Sequence, residues 1–231
     1  MAENSSKKNI AIAYAAIREA IIMQQLHPGT QLKEQALCNS LNMGRSTVRN
    51  ALQRLAADGV VELSENKGAC VASFTKSQLS QLMTFKHEIA CYAVKLSYLN
   101  YVDADFVYLN DCVLREQDAF ERQDFQDYLV ALTDFHNYIA DRAMNSYLSE
   151  CHHLLSNRLQ VYLALYDNFY RTGSKGYLRS ISKHTAIVEA IREEKIPLVI
   201  RTYEELSELV ISAYDYSPAN APSPFLRQDL I

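Results

Sequence analysis

The sequence predicts a mainly α protein in two parts: an N-terminal winged helix-turn-helix with a small β-hairpin wing, and a C-terminal all-α helical bundle. Three observations carry that prediction. Residues 31–71 set two short amphipathic helical patterns on either side of a tight Asn42-Met43-Gly44 turn, and a glycine-punctuated hairpin pattern follows. From residue 75 to 172 there is neither Gly nor Pro, so only short polar turns can interrupt helices there. The charge also splits. Residues 1–74 hold 8 Lys+Arg and 6 Asp+Glu, a net +2, while the remainder holds 15 and 21, a net −6.

In the first part, Ile10, Tyr14, Ile17 and Ile21 share one face of a helix expected over Asn9 to Gln25. The His27-to-Leu32 segment turns at Pro28–Gly29. A second helix starts near Lys33 and a third near Arg45, with Gly59 as a C-terminal stop. Leu41, Val48, Leu52 and Leu55 supply the core. Val60, Val61 and Leu63 begin one strand, Ala69, Val71 and Ser73 return, and Glu65 to Gly68 forms the tip between them. Hairpin residues give way near Ser73–Lys76, so the parts are read as 1–74 and 75–216. A three-proline tail, 217–231, is expected to be extended or disordered.

The second part reads as six helices. They cover Lys76 to about Leu99, a segment after a cap at Asp103, Asp124 to Met144, Ser146 to about Tyr170, Ser180 to Glu194, and a last one from Pro197 to about Tyr216. Arg171 to Gly176 is its glycine-bearing loop. No window reaches the unbroken apolar run of about 18 residues that a membrane helix needs, and the N-terminus has no cleavage pattern of a signal peptide. Five cysteines, at 38, 70, 91, 112 and 151, have no CxxC spacing. They are expected to be reduced thiols of a cytoplasmic protein.

The chemistry concentrates at the start of the third helix. Arg45 and Arg49, four apart, project from one face while apolar residues fill the others, which leaves a polar face spare for phosphates and guanine edges. The plain alternative is two surface charges on an ordinary helix. An acidic body behind a mildly basic head favours site-specific binding of double-stranded DNA over broad coating.

Tyr14, Ile17, Ile21, Leu26, Pro28–Gly29, Leu32, Glu34, Leu37, Leu41, Arg45, Val48–Arg49, Ala51–Leu52, Leu55, Gly59–Val60, Gly68 and Val71 together resemble the winged helix-turn-helix of GntR-type bacterial transcription regulators. The helical remainder resembles the ligand-sensing domain of the FadR-like branch, called FCD, through Phe135–His136, Ile139, Asn145, Leu148, His184 and Ala190–Ile191. The first resemblance implies DNA contacts at Arg45, Ser46, Thr47 and Arg49, with Gln35 on the preceding helix and Lys67 at the wing tip. It departs at Gly44, where the family often has a Ser cap, and Gly caps passably. The second implies a homodimer on a symmetric operator and a small-molecule effector held in the bundle, an organic acid being expected, with repression the expected outcome. Many relatives also hold a divalent metal with an Asp and three His. The corresponding positions here are Leu132, His136, His184 and Leu206. Asp134 cannot simply replace the missing carboxylate, because residues two apart on a helix diverge. No cofactor is therefore expected; a metal held weakly by His136 and His184 is the alternative.

His136 shares an apolar face with Phe125, Tyr128, Leu129, Leu132, Phe135 and Ile139, and His184 with Ile181, Ile187, Val188 and Ile191. Each is either a hydrogen-bonded core histidine or part of an effector pocket. His152 and His153 read as surface or packing residues, and Glu204, Glu205 and Glu208 as a solvated face. Tyr92, Tyr128, Tyr162, Tyr166 and Tyr203 fall on or near inward faces and read as core packing or as a cavity wall. Arg158, after the Leu154–Leu155 stripe, is the candidate carboxylate partner, so the expected effector set is His136, His184, Arg158 and Tyr203. The competing class, a helical enzyme with an accessory DNA domain, lacks any HExxH, nucleophile elbow, P-loop or GxGxxG pattern. No catalytic residue is expected.

Overall fold

In the computed structural model, residues 2–23, 25–65, 68–166 and 175–213 are described, with side chains for 6–23, 25–65, 68–166 and 178–212. Among them the chain divides into two units: residues up to Thr75 together with Val161–Tyr166, and Lys76–Gln160 together with the last two helices.

The first unit begins with α1 (Ala2–Ile22), seven residues earlier than the apolar period indicates. Residues 2–8 are almost all polar and carry no apolar stripe, so pattern reading missed that start. A two-residue strand β1 (Gln31–Leu32) comes next. Helix α2 (Glu34–Leu41) stops on Asn42, whose φ of 52 is left-handed, and Gly44 stands extended as the N-cap of α3 (Arg45–Ala57). Helix α3 closes through Gly59 at φ +75. The following Val60 N–H returns to the Leu55 carbonyl at 2.8 Å, a Schellman closure that favours glycine. Strands β2 (Val61–Ser64) and β3 (Gly68–Val71) pair antiparallel, Val61 opposite Val71 and Ser64 opposite Gly68. Strand β1 adds to the other edge of β3, Gln31 opposite Cys70, where the sequence showed only a turn; two residues are too few to display alternation. Ile17 and Ile21 of α1 are buried with Leu37, Val48, Leu52, Leu55 and Val71, α1 packing on α3. Leu41, assigned to the core, is only half-buried.

The second unit contains α4 (Lys76–Ser97), with a 3-10 turn Tyr98–Asn100, then α5 (Asp103–Glu121), α6 (Phe125–Asp141), most of α7 (Ser146–Tyr166), α8 (Lys175–Arg192) and α9 (Ile196–Ala213). Helix α4 packs on α6 and α9, α5 on α6 and α8, and α8 on α9, so the helices enclose a shared interior. Gln123, Met144 and Glu194 take left-handed φ values of 58, 52 and 55 at three helix ends. Two of these ends return N–H groups five residues back, Asp124 to Ala119 and Lys195 to Ala190, both at 2.8 Å. Tight turns made without glycine explain how so long a stretch folds without one. Asp124 caps α6 by accepting from the Asp127 N–H at 3.0 Å, and Asn145 accepts from the Leu148 N–H at 3.1 Å. At α5 the cap expected on Asp103 is made instead by Asp105, which accepts from the Val102 N–H at 2.7 Å.

Helix α6 ends at Asp141 rather than Met144, and three more boundaries of this part differ from the sequence reading. Helix α8 starts at Lys175 rather than Ser180, Gly176 notwithstanding. Helix α4 ends in a 3-10 turn. Val161–Tyr166, assigned to the bundle, groups with the first unit, where Phe74 stacks on Tyr162 at 3.9 Å and donates its N–H to the Tyr166 hydroxyl at 2.7 Å. The expected tail, 217–231, lies outside the described residues.

Candidate functional site

Helix α3 buries Val48, Ala51, Leu52 and Leu55, which turns Arg45, Ser46, Arg49 and Asn50 outward and leaves Thr47 half-buried. Gln35, exposed on α2, joins them: the Arg45 Nη2 donates to Gln35 Oε1 at 2.8 Å, and Gln35 Nε2 to Asn39 Oδ1 at 3.0 Å. Arg49 makes a two-pronged pair, Nε to Glu34 Oε1 at 3.1 Å and Nη2 to Glu34 Oε2 at 3.0 Å. The guanidinium groups are therefore not spare, as helical spacing alone suggested; each is oriented by a residue of α2. Spacing along one helix cannot show a neighbour across a turn. Arg49 holds the Glu34 carboxyl below the ordinary carboxylate range, chiefly through these hydrogen bonds. The pair is 64% and 36% exposed, so water and salt screen it and its partners can be exchanged for an incoming anion. The arrangement offers two forked cations and two hydroxyls on one helix face. Lys67 lies outside the described residues.

The second cluster is in the bundle interior. His136 on α6 and His184 on α8 are both buried, their ring centroids 4.9 Å apart and nearly perpendicular. His136 Nδ1 stands 3.4 Å from the hydroxyl of buried Tyr203 on α9. His184 Nδ1 lies 2.7 Å from Glu116 Oε2, an imidazole donating to a carboxylate, both side chains out of water. His184 Nε2 and Glu116 Oε1 have no partner among the described residues. Burial holds the His136 imidazole well below its usual pKa, and Lys86 adds to the effect. Lys86, on the inner face of α4, is 6% exposed, and desolvation pulls its ammonium down to about 7. His152 is buried too, its Nδ1 3.1 Å from Asn137 Oδ1 and its Nε2 unpartnered, with burial and then Lys86 holding it neutral.

His136, His184 and Tyr203 thus come together, and Arg158 does not. Arg158 is exposed, as is Leu154 of the stripe it was read from; only Leu155 turns inward. Among the tyrosines, Tyr128 is buried, Tyr92 is 55% exposed, and Tyr162 and Tyr166 pack in the first unit. His152 is core, whereas His153 is half-buried beside Asp141 at 3.0 Å. Glu204 and Glu208 are solvated, and Glu205 bridges Lys183 and Arg201. Sequence reading missed Lys86 and Glu116, although both left a trace: each falls on an apolar helical stripe, Leu79–Leu82–Met83–Lys86–Ala90 and Leu109–Cys112–Val113–Glu116–Phe120.

The metal pattern implied by the resemblance does not fit this donor set. Leu132 and Leu206 occupy two of its positions, Glu116 engages the His184 Nδ1, and Asp134 pairs with Arg115 at 3.0 Å. Among the described residues no three His, Cys, Asp or Glu side chains stand together as a ligand set.

Two family models match the chain: bacterial regulatory proteins, gntR family, over residues 10–71, and the FCD domain over residues 81–205. An HTH-type transcriptional regulator of Agrobacterium vitis is 29% identical over 137 residues, 57% of this chain and 79% of that protein. The HTH-type transcriptional repressor RspR of Escherichia coli is 22% identical over 130 residues, covering 56% of this chain and only 57% of its own length. Among solved structures, McbR/YncC of E. coli superposes with a TM-score of 0.73 at 20% identity, over 88% of this chain and 95% of that one. A transcriptional regulator from Rhodococcus sp. RHA1 gives 0.72 at 21%, over 90% and 100%. At such identities the structures speak for the fold.

Proposed function

The chain belongs to the GntR family of bacterial transcription regulators and carries an FCD domain, and from that membership we propose how its parts work. The first unit reads a double-stranded DNA operator through α3, with Arg45 and Arg49 against phosphates and guanine edges, Ser46 and Thr47 on phosphate or a thymine methyl, and Gln35 and Lys67 flanking. The bundle binds a small effector at the interior cluster of His136, His184 and Tyr203 and acts without catalysis, as a repressor. A homodimer matches a two-fold operator. Phe85, Tyr92, Leu96 and Leu99 support it: these apolar side chains of the α4 region are 41–67% exposed at helical spacing, a face suited to a second copy. A DNA reader of this kind works in the bacterial cytoplasm. Among the described residues no helix is long and apolar enough to cross a membrane.

The observation that carries the reading is the outward face of α3, where hydrogen-bonding side chains crowd together although the rest of the chain is acidic. Duplexes selected from a random pool test it by fluorescence anisotropy. Arg45→Ala is expected to weaken the selected site by about 1–3 kcal/mol, roughly 5- to 150-fold, with an unchanged circular dichroism spectrum. Parent-like affinity in that variant would remove α3 as the reading helix.

A further inference from the structure

Resting on the DNA reading above, we propose that the reading head has a second DNA-binding wall. It is a groove between α1 and α3 in which Lys7 and Arg54 hold a phosphate of the backbone that lies away from α2. The groove measures about 290 Å³ and is lined by Lys7, Ile10, Asn50, Gln53, Arg54 and Ala57. Its polar lining is an ammonium, a guanidinium and two amides, with no carboxylate, in a chain whose net charge is −4. Such a set attracts an anion and repels a cation.

Helix geometry makes that anion the DNA backbone. At 3.6 residues per turn, Arg45 and Arg49 stand at the edge of the outward face of α3 nearest α2, where Gln35 and Glu34 meet them. Asn50 and Arg54 stand at the opposite edge, nearest α1, and the Arg54 guanidinium lies over the Tyr14 ring at 5.8 Å. A contact of that kind engages no hydrogen-bond acceptor, so the guanidinium N–H groups remain for a phosphate. The two helices run in the same sense: Lys7 shares the groove with Asn50, and the Tyr14 hydroxyl donates to Asp58 at 2.6 Å. Helix α1 therefore borders α3 along this edge. Asn50 Nδ2 in turn donates to the carbonyl of Ser46, a residue of the reading face, at 2.8 Å. A helix with its side chains is about 10–12 Å across and a major groove about 12 Å wide, so a helix seated there has a phosphate row on either side. The α2 edge, which carries Glu34, meets one row. The acid-free groove on the α1 edge meets the other.

Anisotropy titrations of the full chain, Lys7→Gln and Lys7→Arg against the selected duplex and a random-sequence duplex, at three salt concentrations, test this. Lys7→Gln is expected to weaken both duplexes alike, about three- to tenfold, and to flatten the logarithmic salt dependence by about one unit for each half-site engaged. Lys7→Arg should keep both, and circular dichroism should show that each variant folds. Selected duplexes carrying one methylphosphonate linkage place the contact: a neutral linkage that weakens the parent should leave Lys7→Gln unaffected. The proposal is overturned if Lys7→Gln matches the parent in affinity and salt dependence, if it loses affinity for the selected duplex alone, or if no methylphosphonate position separates it from the parent. Inorganic phosphate that raises the thermal midpoint of the parent but not of Lys7→Gln, with DNA binding unchanged by the substitution, would make the groove a free-anion site and overturn it too. Arg45→Ala separates the two failures. If it weakens the selected site while Lys7→Gln does not, only the second wall falls. If it binds like the parent while Lys7→Gln loses on every duplex, the wall stands and α3 falls as the reading helix.

Discussion

Replacing Lys86 with Met should stabilise the ligand-free protein, and the gain should depend on pH in a calculable way. Burial brings the Lys86 ammonium from 10.5 in the unfolded chain to about 7 in the folded one. Between those values the unfolded chain holds a proton that the folded chain releases, so stability rises as pH climbs from 7 toward 10.5. Below pH 7 both states are protonated and the penalty is complete. The charge then costs on the order of 5 kcal/mol; about 4 kcal/mol remains at pH 7 and about 2 kcal/mol at pH 9. Met has nearly the same length and no charge, so it removes this cost while filling the space. The packing difference between the two side chains is common to all pH values, and the slope is therefore the informative quantity. His136, His152 and Tyr203 face the same interior together with the Glu116–His184 pair. They are present in both proteins and largely cancel in the difference. Urea denaturation at pH 6, 7, 8 and 9 measures it. The advantage of Lys86→Met should shrink by about 2 kcal/mol between pH 7 and 9. A difference that stays constant from pH 6 to pH 9 would mean that the amine reaches water and carries no buried charge.

Two further changes test separate features. Met144, 83% exposed at φ 52, is held in a conformation that costs a side-chain-bearing residue roughly 1 kcal/mol. Met144→Gly should raise the midpoint by about 2–4 °C in calorimetry, and a lower midpoint would show that the side chain makes contacts worth more than its backbone strain. Leu132→Asp with Leu206→His restores the four-ligand pattern, and isothermal titration should then detect zinc binding absent from the parent and from each single change. Equal zinc binding by the parent would show that two histidines suffice.

What could be read from the sequence depended on whether the informative residues lay on one element. Helix α3 was legible because Val48, Leu52 and Leu55 mark its buried side while Arg45 and Arg49 mark the other. Strand β1 was not, because its pairing depends on β3 almost forty residues away. In the bundle, His136 and His184 stood out as polar residues on apolar faces. The same rule applied to Lys86 and Glu116 would have found both. Arg158 lies one turn after Leu154, and Leu154 is itself on the exposed side of α7, so the two mark a solvent face rather than the interior. Tyr92 misled similarly: one turn from buried residues, it stands on the side of α4 that also exposes Phe85 and Leu96. Which carboxylate meets His184 was beyond pattern reading, since Glu116 lies 68 residues away on another helix.

Glu34 raises the sharper question about the reading head, because an acidic side chain beside a surface meant for phosphates weakens attraction to every DNA. Its geometry suggests why it is tolerated. Both carboxylate oxygens engage the Arg49 fork, whereas Arg45 is met by the neutral amide of Gln35. Arg45 therefore keeps its full charge for any phosphate, while Arg49 leaves Glu34 only for an acceptor pair of matching fork geometry, as guanine O6 and N7 provide. Glu34 would then act as a competitor that suppresses non-specific binding more than specific binding. Glu34→Gln should raise affinity for random-sequence duplex several-fold and steepen its logarithmic salt dependence by up to about one unit. The selected site should gain less, so the specificity ratio falls. Anisotropy titrations at three salt concentrations separate this from a merely structural pair: equal gains on both duplexes would reduce Glu34 to a general negative charge. Losses on both would make it a buttress without which Arg49 is misplaced.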